Sequence, residues 1–235
     1  YDSIRLITAL AAKYGLDLQT SDFVSAYLQA KVTDDVYTEV LPSYIAYLEP
    51  KPTDSNKIRH LKDAARKEYR SALHQAHGDP SQVVWKVLRA IPGMRQSGYC
   101  WNKRLHEFLV KDGWTRLNQD AGVYTRMCAD GSPALLCVFV DDLLMACKPG
   151  NLDIFKRKLS QEFKIKHGTS SASQFCGVEI ERASSVSTTI KLHQQAFIHQ
   201  LSTKYGQFLP QHRTPPLTPL PARTVLKPGT ADEIH

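Results

Sequence analysis

Long apolar runs are absent from this sequence of 235 residues, and so is the opening of a secretory leader. No stretch approaches the roughly 20 consecutive apolar residues that a membrane-spanning helix requires, and the first residues lack a charged start followed by an apolar core. We therefore expect an intracellular protein without a membrane partner, and the sequence leaves open whether it lies in the cytoplasm or the nucleus. The first residue is Tyr1 rather than Met, so we expect a piece of a longer polyprotein.

Cysteine is also scarce, and its spacing excludes the common cysteine-based sites. The five cysteines are widely separated, no two form a CxxC pair, and most stand in apolar strings. We interpret them as reduced core thiols, with neither a zinc site nor a disulfide framework. His74 and His77 stand about one helical turn apart, but no third ligand accompanies them, so we interpret them as surface histidines.

Acidic residues are outnumbered by basic ones. The chain carries 30 Lys and Arg against 23 Asp and Glu, a formal net charge of +7. Such an excess favours a polyanionic partner, because bound phosphates release their counterions. Hydrophobic residues make up 42% of the chain, which suits one sizeable core or one core with a small appendage.

The apolar periodicity predicts a fold of the α+β class. Helices are predicted at residues 4–14, 97–112 and 194–205, with a further helix capped by Asn151. Strands are predicted at residues 16–22, 36–40, 83–88, 123–125, 135–140, 143–147, 175–181 and 189–193.

Two stretches interrupt this pattern. Residues 42–80 are bounded by prolines and rich in Lys, Arg and Ala, which predicts an exposed helical insert. Residues 210–235 contain six prolines and are predicted to be a linker or disordered tail. One domain would then span residues 1–209.

The strongest chemical signal is a pair of adjacent acids, Asp141 and Asp142, between two unbroken apolar stretches. Continuous apolar runs are typical of strands buried on both faces, so we predict a central hairpin with the two carboxylates at its tip. Ionised carboxylates in such a place require a compensating cation or basic partner, and a metal ion would supply that charge. The alternative is a polar turn, in which Asp is common.

Further motifs accompany the acid pair. Residues 21–28 read SDFVSAYL and place Asp22 at a strand end, five residues before Tyr27. Residues 92–98 read PGMRQSG and precede a Trp-Asn pair at 101–102. In order and spacing, these stretches and the FVDD of residues 139–142 resemble motifs A, B and C of the copia-type (Ty1/copia) retrotransposon reverse transcriptases.

The resemblance continues downstream. Residues 163–168 (FKIKHG) resemble motif D, and residues 175–180 (FCGVEI) resemble the family's F-L-G-I-E-I hairpin. The match extends over about residues 4–217 and is weakest across the insert.

This resemblance implies a polymerase palm, with an antiparallel sheet, helices packed on one face and the acid cluster exposed on the other. The fingers would be incomplete, because their basic strands precede the first helix in the family. The proline-rich tail would lead towards a ribonuclease H region. The implied activity is RNA-directed DNA synthesis within a retrotransposon polyprotein, with an RNA or DNA template-primer and deoxynucleoside triphosphates as partners.

The resemblance also implies roles for individual residues. Asp22 and Asp141 would hold two Mg²⁺ ions, with Mn²⁺ as the second choice, and Asp142 would be the third acid. Tyr27 would exclude the ribose 2′-hydroxyl, although it could equally be a core aromatic residue. Lys164 or Lys166 could assist the leaving pyrophosphate, although a solvated lysine at a strand edge explains either equally well.

Motif B would contribute the nucleotide and template pocket. Gly93 would allow close approach of the backbone, and Arg95, Gln96 and Ser97 would line the pocket. The alternative is that this glycine loop only begins the following helix.

Two other functions stay open. Phe139 stands where the family has Tyr, and Pro92 also departs from the family pattern, as a catalytically inactive remnant would allow. Such a remnant would only bind nucleic acid or serve structurally in the polyprotein. The other alternative is a metal-dependent phosphoesterase unrelated to polymerases.

Overall fold

A computed structural model of the chain describes residues 2–168, 174–183 and 187–206. The chain divides into two compact units, residues 1–193 and 194–235, and the predicted domain boundary at residue 209 lies outside the described residues. The expected proline-rich tail lies outside the described residues. Within the second unit, the structure describes one helix, which occupies the predicted position and is numbered α6 (Gln195–Tyr205).

The first unit is built on a six-stranded sheet in which all neighbouring strands are antiparallel. In spatial order the strands are β4 (Thr115–Arg116), β5 (Val123–Met127), β6 (Pro133–Phe139), β7 (Asp142–Cys147), β1 (Asp17–Phe23) and β8 (Ile165–His167). The central hairpin predicted from the two apolar stretches is confirmed as β6 and β7. Every residue from Leu143 to Cys147 is buried, so β7 forms the centre of the core.

Alternate residues of the central strands face two different layers. Phe23, Leu143 and Met145 pack against α4 (Ser97–Lys111) and α5 (Pro149–Glu162) in one layer. An aromatic cluster strengthens this layer, since the rings of Phe23, Trp101 and Phe163 contact one another edge to face at centroid distances of 4.9–5.6 Å. Each large apolar side chain buried here contributes about 1.5–3 kcal/mol.

The opposite face of the sheet is covered too. Leu18 and Leu144 pack against α1 (Asp2–Tyr14) and a three-stranded sheet. That sheet has the order β11 (Ile190–His193), β10 (Val178–Arg182) and β9 (Gln174–Phe175). The expectation of helices on one face only is therefore wrong, because β7 is apolar on both sides and needs cover on both.

The predicted helical insert consists of α2 (Pro42–Leu48) and α3 (Asn56–Gln75). It leaves and rejoins the chain through a two-stranded ladder of β2 (Tyr37–Glu39) and β3 (Val84–Lys86). The helix α3 is mostly exposed, and His74 and His77 are both exposed near its end.

Lys62 of α3 is an exception to this exposure, because it is only 4% exposed. Its ammonium lies 2.9 Å from the Asp54 carboxylate and 4.5 Å from the Tyr47 ring centroid, and it donates to the Glu49 carbonyl at 3.2 Å. Burial of a charged lysine requires such partners, so this lysine joins α3 to the segment before it.

Asn151 does not cap α5, contrary to the sequence-based expectation. The helix begins at Pro149 after Lys148, which is the position where proline is most readily accommodated. The Asn151 amide instead donates to the Ser132 hydroxyl at 3.2 Å. All five cysteines are free, and all but Cys176 are buried. None of the helices in the described ranges combines the length and apolar character needed to cross a bilayer.

Gly168 generates a prediction about stability. A Cβ at this position would lie 2.7 Å from the Thr20 hydroxyl and 3.2 Å from the Thr20 carbonyl, while the Gly168 amide donates to that carbonyl at 2.9 Å. Gly168→Ala should therefore push β8 from β1 and lower the free energy of unfolding by about 1–3 kcal/mol, measured by urea denaturation.

Gly150→Ala is the matched control, because nothing lies within 4 Å of its Cβ position in α5. It should leave the free energy of unfolding unchanged or raise it by up to about 1 kcal/mol. Equal effects of the two substitutions would show that the contact with Thr20 is unimportant.

Candidate active site

The pairing of β1 with β7 brings two of the predicted acids directly opposite each other. Asp22 and Asp142 are partners in the antiparallel register, and both lie on the face that also carries Leu18 and Leu144. Side chains of directly opposed residues are neighbours on one face of a sheet. Asp141 precedes Asp142 in the turn, and its carbonyl accepts a hydrogen bond from the Phe23 amide at 2.8 Å. The three acids therefore share one end of the sheet.

The electrostatics of Asp142 reflect this crowding. Burial raises the pKa of its carboxyl, and the negative charges of Asp141 and Asp22 raise the pKa further. The Cys176 amide, which donates to the carboxylate at 3.2 Å, has the opposite effect. In the part of the chain that the structure describes, no ion pair compensates any of the three acids.

This arrangement suits a hard cation but does not form a closed metal site. Among residues 2–168, 174–183 and 187–206, no three His, Cys, Asp or Glu side chains converge closely enough to hold a metal ion. Mg²⁺ is commonly held by one or two carboxylates together with waters and substrate phosphates. The uncompensated oxygens of Asp22, Asp141 and Asp142 could supply the protein's share of such a shell. A cavity of about 390 Å³ opens beside Asp141 and Asp142.

The turn that carries Asp141 has an unusual backbone. Val140 has a φ of 53°, in the left-handed region that β-branched residues rarely adopt. Its carbonyl accepts a hydrogen bond from the Trp101 indole nitrogen at 2.6 Å. Together with the bond from the Phe23 amide to Asp141, this contact holds the turn from outside the hairpin.

Trp101 is a residue whose role sequence reasoning missed. Its spacing identified it as a marker of motif B, but no signal in the sequence shows that the indole reaches the turn between β6 and β7. The contact joins α4, which follows the motif B loop, to the strand end that carries the acids.

The motif B residues lie immediately before α4. Gly93 has a φ of 94°, which a residue with a side chain would adopt only with strain, and both Gly93 and Arg95 are exposed. Gln96 is half-buried and directly precedes the helix. Ser97 is 1% exposed, and its hydroxyl donates to the Ile91 carbonyl at 2.5 Å. That hydroxyl closes the loop and would have to leave Ile91 in order to contact a substrate.

Tyr27 and the two motif D lysines occupy distinct places. Tyr27 lies in a short 3-10 helix (Ala26–Gln29), half-buried and partly packed on the core that includes Phe23. Lys166 pairs in register with Asp22 on the neighbouring strand, so it projects from the face that carries the acids. Lys164 instead bonds through its backbone to Gln29.

Comparison with known proteins relates the chain to a family. Residues 72–217 match the family model described as reverse transcriptase (RNA-dependent DNA polymerase). Motifs B, C and D lie inside this range, whereas Asp22 and Tyr27 precede it.

Three relatives are proteins of transposons. The transposon Ty5-1 protein of Saccharomyces cerevisiae is 31% identical over 110 residues, 46% of this chain. The retrovirus-related Pol polyproteins from transposon RE1 of Arabidopsis thaliana and transposon TNT 1-94 of Nicotiana tabacum are 25% and 22% identical over 93% and 98% of this chain. The chain spans only 35%, 13% and 15% of the length of these relatives.

A solved structure of telomerase from Candida albicans, in complex with the TWJ fragment of telomeric RNA, aligns with 88% of this chain and 38% of its own. Its identity is 15% and its TM-score is 0.36, which is too low to establish a shared fold.

The bond from Trp101 to Val140 generates a second prediction. Trp101→Phe keeps a ring against Phe23 but removes the N–H donor, so we expect a loss of about 1–2 kcal/mol in the free energy of unfolding. In a Val140→Gly background the loss should be smaller, because glycine adopts a positive φ without strain. Urea denaturation of the four proteins in this double-mutant cycle measures the coupling.

Trp114→Phe is the matched control for this cycle, since Trp114 is also buried and packs on Phe155 at 5.0 Å between centroids. Its cost should be the same with Val140 or glycine at position 140. If Trp101→Phe also costs the same in both backgrounds, the indole does not hold the strained turn.

The raised pKa of Asp142 generates a third prediction. Folding makes the proton on Asp142 harder to remove, so this group lowers the free energy of unfolding as the pH rises from the ordinary aspartate pKa through the folded value. Asp142→Asn should therefore stabilise the protein at pH 7 and lose this advantage as the pH falls through that window. Unfolding measured between pH 3 and pH 7, with exposed Asp34→Asn as the control, tests the sign; stabilisation that is independent of pH would contradict it.

Proposed function

Because this chain belongs to the reverse transcriptase (RNA-dependent DNA polymerase) family, in its copia-type retrotransposon branch, we propose that it catalyses RNA-directed DNA synthesis within a polyprotein. The substrates would be an RNA or DNA template-primer and deoxynucleoside triphosphates. The observation that carries the proposal is the register that sets Asp22 opposite Asp142, with Asp141 beside them. Within the described residues these three carboxylates form no ion pair, which suits a reaction whose substrates arrive with divalent cations.

The reaction is an in-line attack of a primer 3′-hydroxyl on the α-phosphate of a deoxynucleotide, with pyrophosphate as the leaving group. Two bound Mg²⁺ ions, or Mn²⁺ in their place, would stabilise the attacking and leaving oxygens. Asp22 and Asp141 would supply carboxylate oxygens from adjacent strand ends, and Asp142 would add the third acid. Burial raises the pKa of Asp142 and the charges of Asp141 and Asp22 raise it further, so a bound cation would relieve the repulsion between these acids.

Other residues of the chain would act on the substrates directly. Lys166 projects beside Asp22, so its ammonium would donate a proton to the leaving pyrophosphate, and we prefer it to Lys164 for this role. Tyr27 would exclude the ribose 2′-hydroxyl. Gly93 and its neighbours Arg95, Gln96 and Ser97 would border the nucleotide and the template.

A second candidate is the inactive remnant that only binds nucleic acid or serves structurally. The observation that favours it is that the three acids do not converge into a metal site within the described residues. A metal-dependent phosphoesterase has no comparable support, because the chain matches a polymerase family.

Primer extension with Mg²⁺ distinguishes these functions. The wild-type chain within its polyprotein should extend a DNA primer on an RNA template. Asp141→Asn and Asp22→Asn should each lower the rate by about 100-fold or more, the scale of losing one electrostatic contact at the reacting atoms. Asp153→Asn, on the exposed surface of α5, is the control and should extend at the wild-type rate.

Each other result identifies a different function. If the wild type and both acid variants bind the template-primer equally but extend nothing, the remnant interpretation is correct. If they degrade the nucleic acid without adding nucleotides, the phosphoesterase interpretation is correct.

A further inference from the structure

A basic groove lies on the layer of α4 and α5, apart from the acids. It is formed by two adjoining cavities of about 520 Å³ and 270 Å³, which share Arg104. We define the α4 groove by six lining residues: Lys31, Arg89, Tyr99, Lys103, Arg104 and Lys164. None of the three acids lines either cavity.

The basic side chains come from separate segments that hydrogen bonds hold together. Arg89 and Arg104 both donate to the Gln29 carbonyl, Arg89 at 3.1 Å. The Gln29 side chain accepts from the Lys164 amide at 2.8 Å and donates to the Lys164 carbonyl at 2.9 Å. Lys31 and Arg89 form an isolated backbone bridge. The groove is therefore organised before any ligand binds, which lowers the cost of binding.

The groove has more basic than acidic side chains. Five basic side chains line it against two acidic ones, Glu107 and Glu162. Glu162 pairs with Arg104 at 3.0 Å, whereas Arg89, Lys31 and Lys103 are exposed, and no ion pair within the described residues includes any of these three. The uncompensated charge suits a ligand with several phosphates in a row.

Tyr99 adds an aromatic surface next to these charges. Its side chain is 69% exposed on the first turns of α4, and it lines the smaller cavity together with Lys103. Surfaces that combine a basic track with exposed aromatic rings bind single-stranded nucleic acids, because phosphates contact the cations and bases stack on the rings.

We propose that the α4 groove binds a single strand of RNA or DNA, with phosphates on Lys31, Arg89 and Lys103 and a base on Tyr99. A free nucleotide would fill one cavity, whereas a strand spans both. Asp22 and Asp142 face the other layer of the sheet, and none of the three acids lines the groove, so this strand is held outside the reacting centre. Its identification as the unpaired template rests on the proposed function.

Binding of a fluorescent RNA oligonucleotide of 12 nucleotides, followed by anisotropy, tests the groove without catalysis. The full chain carries Asp141→Asn in every sample, so turnover cannot affect the result. Tyr99→Ala should weaken binding about tenfold through loss of stacking. Lys31→Gln with Lys103→Gln should weaken binding and reduce the slope of log K against log salt by about 1.4, for two single-strand phosphate contacts.

Lys57→Gln with Lys67→Gln is the matched control, because it removes the same charge from exposed positions of α3. Its effect on the affinity and on the salt slope should be smaller than that of the groove pair, because it changes only the net charge of the protein. If the two lysine pairs have equal effects and Tyr99→Ala binds normally, the groove proposal is wrong. If the groove variants weaken dATP binding but not oligonucleotide binding, the cavity is a nucleotide site and the strand proposal is wrong.

The groove and the polymerase proposal fail separately. Loss of oligonucleotide binding in the groove variants, with no primer extension by the wild type, would support the groove and refute the polymerase. Primer extension by the wild type, with normal oligonucleotide binding in the groove variants, would support the polymerase and refute the groove.

Discussion

The antiparallel register of β1 against β7 is the constraint on which the rest of the structure depends. β7 is buried on both sides, and alternate residues of its neighbour β1 face the same two layers. A slip of one residue would turn every side chain of β1 to the other face. Phe23 would leave the aromatic cluster and Asp22 would leave the face of Asp142. Core packing therefore specifies the position of the acids, although the acids themselves contribute repulsion.

That repulsion and the strained turn at Val140 are two unfavourable features at the same place. The turn keeps its conformation in spite of the repulsion and the strain. It is held by the buried strands on either side and by hydrogen bonds from the Phe23 amide and the Trp101 indole. Strain and crowded like charges persist only where the surrounding structure over-determines them, and they concentrate at functional sites. The stability of the sheet thus supports a local arrangement that would not form in isolation.

Much of this architecture could be predicted from the sequence. The unbroken apolar stretches predicted the central hairpin with its acids, and the same stretches require cover on both faces, which the expectation of a one-sided palm overlooked. Other features had no local signal. The burial of Lys62 depends on Asp54 and Tyr47, and lysine elsewhere in α3 is exposed. The direction of the Trp101 indole depends on how α4 packs on the sheet, which residue spacing does not specify.

The ladder of β2 and β3 has a practical consequence for the helical insert. The two ends of the insert are neighbours in space. If another segment replaced the helices, the entropic cost of closing the loop would change only slowly with the length of that segment. A fluorescent or affinity domain could be grafted there, with its termini joined to the ladder, while the sheet that carries the acids keeps its own contacts. The buried lysine would leave together with its partners, so such a replacement would strand no unpaired charge.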